Sequence, residues 1–250
     1  MVNSIRVSVF SLTMTRVLGV HTILDEATRY ASYWVQLILN EASAAGHEVR
    51  SLTGSAVTAQ GLLSAVEGYQ PDLVVFGGHG SPSEFLGAGY QVVLMACSND
   101  QMMADSRALF ISCLTGQILV PSMVRKGAVA AQGFVKEYTW MIDGSGSPSS
   151  DIYAQSFTRT LVEAAREIMR GGSWQDWYRA FTRVSDEEIA RWGQSNDPLA
   201  ASVIMCLRSN ASAAVISGAG TITEEGGEYT TVGDSPVLPL LAIAAILKYA

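Results

Sequence analysis

Apolar positions along this chain fall into two periods. Runs of four to six apolar residues, bounded by glycine, proline or polar residues, alternate with longer stretches in which apolar residues recur every three or four positions. The first kind suits strands buried on both faces and the second suits amphipathic helices. Arg6-Val-Ser-Val-Phe-Ser-Leu predicts an opening strand. Residues 24–45 then carry Tyr30, Trp34, Leu37 and Ile38 at helical spacing, and Gly46 to Leu52 predicts a helix stop and a second strand. A short helix over 56–67 is closed by Pro71, and Leu73 to Phe76 predicts a third strand. Residues 84–106 lack helical period and predict a small inserted hairpin. The main pattern resumes with a strand over 108–112, a helix over 114–125, and a strand over 128–135.

Asp151 can cap a helix running to about Arg170, followed by a helix over 174–194, a short one opened by Asp197-Pro198, and a late strand at Ala213 to Ser217. Gly218-Ala-Gly-Thr lacks the spacing of a phosphate-binding turn and predicts the end of that strand. A marginal hairpin follows over 224–232. Alternating strands and helices imply an α/β protein: a three-layer α/β/α arrangement around a mostly parallel sheet with right-handed crossovers. One domain over 1–235 and an apolar tail over 236–250 are expected; the tail is too short to span a bilayer and suits packing on the domain, a partner subunit or a membrane surface.

Of the 250 residues 48% are hydrophobic and 16% charged, which excludes extensive disorder. The formal net charge is −7 and the longest basic cluster is Arg125-Lys126, so a surface for nucleic acid is not expected. The N-terminus lacks the pattern of a secretory signal, which favours a cytoplasmic location. Cys97, Cys113 and Cys206 are too scattered for a disulfide framework or thiolate metal site, and His21, His47 and His79 too scattered to share a metal. His21 and His47 suit solvated connections. Trp174, Trp177, Tyr178 and Phe181 suit a helix's core face, and Asn210-Ala-Ser212, without a secretion signal, carries no glycosylation argument.

Two strings carry chemistry. Asp72-Leu-Val-Val-Phe-Gly-Gly-His79-Gly80 and Ala108-Leu-Phe-Ile-Ser-Cys113-Leu-Thr-Gly116 are apolar strands that stop at a residue able to transfer a proton or attack a carbonyl. In a parallel sheet such residues gather at the carboxyl ends of neighbouring strands. The glycines around His79 leave backbone amides free to approach a substrate. Cys113, placed between a strand and the start of a helix, is where an anion is stabilised, and the N–H groups of Gly80 and Cys113 are the natural oxyanion donors.

His-Gly after an apolar strand, then a strand ending in a small residue and Cys, resembles the caspase-like cysteine peptidases, best toward their gingipain-like members, over residues 6–135. The resemblance implies a caspase-hemoglobinase fold and a cysteine endopeptidase (thiol protease) that cleaves a peptide or protein substrate without metal or cofactor. Carried over by position, His79 matches the family histidine, Gly80 the glycine after it, and Cys113 the nucleophile; Ser112 replaces a frequent alanine. Cys97, in Ala96-Cys97, is the alternative nucleophile, but it follows His79 by only 18 residues, too few to complete the hairpin and add a main strand. Glutamine amidotransferases place cysteine before histidine, the reverse of the order here. The resemblance also puts a specificity pocket near 134–137, where Glu137 would favour a basic side chain, and the exposed 144–150 loop is the candidate for self-cleavage. The reading from another class is a catalytically inactive caspase-like or flavodoxin-like domain serving assembly or binding.

Overall fold

The computed structural model describes residues 15–218. Eight strands and six α-helices alternate: β1 (Arg16–His21), α1 (Glu26–Ala44), β2 (Glu48–Thr53), α2 (Ala59–Tyr69), β3 (Leu73–Gly77), β4 (Glu84–Leu86), β5 (Val92–Met95), β6 (Arg107–Ile111), α3 (Leu119–Arg125), β7 (Ala130–Phe134), α4 (Ala154–Met169), α5 (Trp174–Gly193), α6 (Ala200–Ala213) and β8 (Ala214–Gly218). Six strands form one sheet in the order β2-β1-β3-β6-β7-β8, parallel except for β8, while β4 and β5 pair as a separate antiparallel hairpin.

The strand period of two sorts side chains between two cores. Val17, Leu73, Val75, Leu109 and Ile111 face a layer containing α1, α4, α5 and α6. Leu18, Val20, Val74, Phe76, Ala108 and Phe110 face α2, α3 and the hairpin. On that second face Phe76 stacks on Phe110 at 4.5 Å, and Phe85 of β4 packs edge-on to Phe76 at 5.1 Å, which anchors the hairpin to the sheet. The architecture is the expected three-layer α/β/α.

Local chemistry sets the helix ends. Asp25 and Thr28 form a reciprocal capping box at the start of α1, as Ser173 and Asp176 do for α5. Thr58 caps α2, so that helix starts three residues later than expected from 56; Gly54–Ala56 forms a single 3-10 turn instead. Asp151 stands two residues before the N-cap of α4, Tyr153, and its Oδ1 accepts from the N–H groups of Tyr153 and Ala154 at the helix start. The helix expected as short after Asp197 runs for 14 residues as α6.

Two expectations are corrected. Arg16–His21, unassigned from sequence, is a central strand, whereas the strand expected over 6–12 lies outside the described residues. The helix expected from Leu114 starts only at Leu119, because Leu114 adopts a left-handed φ of 63° that breaks a right-handed helix. Residues 219–250, including the marginal hairpin and the apolar tail, also lie outside the described residues. No helix among the described residues is long and apolar enough to cross a membrane.

Candidate functional site at the carboxyl ends of β1, β3 and β6

Strand order reverses at β1: the chain leaves it first for β2 on one side, and β3 then pairs on the other. Such a switch opens a crevice at the carboxyl edge of the sheet. Three loops reach that edge, carrying Asp25 after β1, His79 after β3 and Cys113 after β6. The β3–β6 ladder continues past its last paired residues, Gly77 and Ile111, through a 3.3 Å bond from Gly78 N–H to the Ile111 carbonyl. At Gly80 the two chains nearly touch, since a Cβ there would stand 2.7 Å from the Cys113 carbonyl oxygen and 2.8 Å from Thr115 Cγ2. Glycine is therefore a steric requirement of this approach.

The Cys113 turn is held from the β7 side. Leu114 N–H donates to the Lys136 carbonyl (3.2 Å) and Gly116 N–H to the Phe134 carbonyl (2.9 Å). The backbone of His79 is fixed to the hairpin by the Leu86 N–H, which donates to its carbonyl at 3.0 Å. His79 and Cys113 thus both stand on backbone secured by neighbouring strands.

His79 is buried, and its Nε2 lies 2.6 Å from Asp25 Oδ2. The Asp25 carboxylate divides its oxygens: Oδ1 accepts from the Thr28 N–H and hydroxyl, each at 2.9 Å, and Oδ2 takes the imidazole and the Tyr90 hydroxyl. Partial burial opposes ionisation of Asp25, but the Thr28 N–H and the imidazole outweigh it and hold the carboxyl below the usual range. An ionised carboxylate only accepts, so in this contact the proton sits on His79 Nε2.

Cys113 is 4% exposed, and its Sγ–H donates weakly to the Tyr138 carbonyl at 3.9 Å. Burial pushes the thiol up to about 11, against the smaller opposing effect of that contact. The expected help from a helix start is absent, since α3 begins six residues after Cys113. His79 and Cys113 line one narrow cavity with Ala31, Trp34, Tyr138 and Trp140. Among the described residues no hydrogen bond joins Sγ to the imidazole.

Cys97 does not line this cavity. It is exposed after β5, with its N–H and Sγ directed to Ser122 of α3 at 3.2 and 3.5 Å. His21 and His47 differ from the solvated connections expected. His21 is buried at the end of β1, with Nδ1 2.6 Å from Ser32 Oγ, and desolvation lowers its pKa. His47 bridges Thr15 N–H (3.2 Å) and the Met169 carbonyl (2.7 Å), joining the start of β2 to the end of α4. Asn210 is buried in a two-way clasp with the backbone of Thr139, which removes it as a glycosylation acceptor. Trp174, Trp177 and Phe181 are buried and Tyr178 packs against the same core.

Asp25 and Tyr90 were not singled out by the sequence. The signal for Asp25 was its place at a capping box directly after an apolar strand; Tyr90 follows Gly89 at a hairpin tip.

The fold is a three-layer α/β/α sheet protein of caspase-like architecture. It is similar to a solved structure, the complex of Porphyromonas gingivalis RgpB pro- and mature domains, with a TM-score of 0.53 at 12% identity over 82% of this chain and 47% of that one. This likeness is one of fold, and the described chain spans about half the length of that gingipain chain. No family model and no curated protein matches the sequence.

Proposed function

We propose that the protein is a cysteine endopeptidase in which Cys113 is the nucleophile and His79 the general acid and base. The observation that carries this reading is the convergence of His79 and Cys113 on one cavity, with a carboxylate orienting the imidazole. Cys113 gives its proton to His79 Nδ1, and the thiolate attacks the carbonyl carbon of a peptide bond. The oxyanion is held by the N–H groups of Gly80 and Cys113, which meet no acceptor among the described residues. Protonated His79 gives its proton to the departing amine. Water, deprotonated by the same imidazole, then hydrolyses the thioester and restores the thiol. Asp25 stabilises the imidazolium throughout.

Trp34, Tyr138 and Trp140 give that cavity a largely aromatic lining. Glu137 is half-buried and does not line that cavity, so a basic residue before the scissile bond draws no support from it. The reading as an inactive assembly or binding module is favoured by one feature, the burial of a neutral thiol. A peptide bearing a thiol-directed group separates the two. Covalent labelling of Cys113, mapped by mass spectrometry, is expected of the peptidase; a Cys113 that resists every such peptide is expected of the module.

A further inference from the structure

Residues Ala88-Gly89-Tyr90-Gln91 form the turn at the tip of the hairpin, closed by the Gln91 N–H donating to the Ala88 carbonyl at 3.2 Å. Both central residues are left-handed, Gly89 at φ 62° and Tyr90 at φ 60°. Glycine or asparagine fits the second of these positions without strain, and an aromatic residue does not. Tyr90 is also 46% exposed, so burial does not account for it. What the conformation achieves is contact with the site. The ring lies nearly parallel to the His79 imidazole, with centroids 5.7 Å apart and planes 20° apart, and the hydroxyl donates at 3.1 Å to the Asp25 oxygen that meets Nε2.

We propose that Tyr90 is a positioning residue for His79, covering one face of the imidazole and sharing the carboxylate that orients it. This rests on the reading of His79 as the reacting imidazole. The titratable groups converging there are Asp25 from the β1–α1 loop, Tyr90 from the hairpin and Cys113 across the cavity. Strain at an exposed aromatic residue has a natural explanation in the orientation it imposes on a functional group. The hairpin, inserted between β3 and β6, thereby becomes part of the site.

The test uses the full chain labelled with 15N-histidine and follows the His79 Nε2–H resonance, assigned by its disappearance in His79→Asn. In Tyr90→Phe the competing hydroxyl is gone, so the bond to Asp25 strengthens and the resonance moves downfield. In Tyr90→Gly the ring is gone while the turn is relieved of strain; the melting temperature is kept, and the resonance broadens through exchange with water. Tyr90→Phe without a shift, together with Tyr90→Gly without broadening, would overturn the proposal. The readout is independent of turnover: shifts present in a protein that cleaves no peptide would sustain the positioning contact and count against the peptidase reading alone.

Discussion

Asp25 uses one carboxylate for two purposes, capping α1 with Oδ1 and holding His79 with Oδ2. The two can be separated. Asparagine caps a helix about as well as aspartate, so Asp25→Asn is expected to keep the melting temperature close to that of the parent. A neutral amide cannot stabilise an imidazolium, and the cleavage rate should fall by up to about 10⁴-fold, the scale seen when a catalytic histidine loses its carboxylate. Equal loss of stability and activity would mean the contact is only structural. The thiols offer a second check. A thiol titrating near 11 is ionised to only about one part in ten thousand at pH 7. Iodoacetamide at neutral pH should therefore modify exposed Cys97 well before Cys113, as peptide mapping over time would show. Preferential modification of Cys113 would instead mean that the cavity opens readily without substrate.

At the scale of elements, glycines show how closely the layers approach. A Cβ on Gly77 would stand 2.5 Å from Val35 Cγ2 and 2.8 Å from the Ala31 carbonyl oxygen, so α1 itself must move to accept it. Gly77→Ala is expected to cost about 1–3 kcal/mol in denaturant unfolding. Gly68, in α2, has nothing within 4 Å of a new Cβ, and Gly68→Ala should stabilise by up to about 1 kcal/mol. The same packing explains which elements were readable from sequence. Strands β3 and β6 could be read because both faces are buried, which makes nearly every residue apolar. Strand β1 could not, because Gly19 interrupts its run where Leu39 and Val35 of α1 press on the sheet, and because it is bounded by Arg16 and His21. The start of α3 was misplaced since no residue type marks the left-handed turn at Leu114. His79 and Cys113 were legible as abrupt ends of apolar runs. Asp25 was hidden because capping and histidine orientation call for the same side chain, and Tyr90 because its role depends on a hairpin folding back over β3.

Across the whole molecule, a sheet buried on both faces sits among helices tied by ion pairs, and its stability should form a plateau in pH. Asp25, Glu41 and Glu188 are each held below the usual carboxylate range. For Glu41 the Arg166 hydrogen bonds lead; for Glu188 and Asp25, burial acts the other way and is outweighed by Arg159 and Arg191 in one case and by Thr28 and His79 in the other. A lowered native pKa adds stability above the unfolded value, about 4, that is lost as pH falls through the native one. Cys113 is raised, so its contribution is complete below about 9 and is lost as pH rises toward 11. Denaturant midpoints measured across pH should fall off on both sides of a plateau, and Cys113→Ala should lessen the alkaline fall, to which Cys206, Tyr30 and Tyr138, also raised by burial, contribute the rest. The same substitution bears on function. The most direct measurement is cleavage of a mixed peptide library by the parent protein, Cys113→Ala and Cys97→Ala in parallel. The parent and Cys97→Ala are expected to cleave and Cys113→Ala is not; cleavage that survives in Cys113→Ala would contradict the assignment of Cys113 as nucleophile.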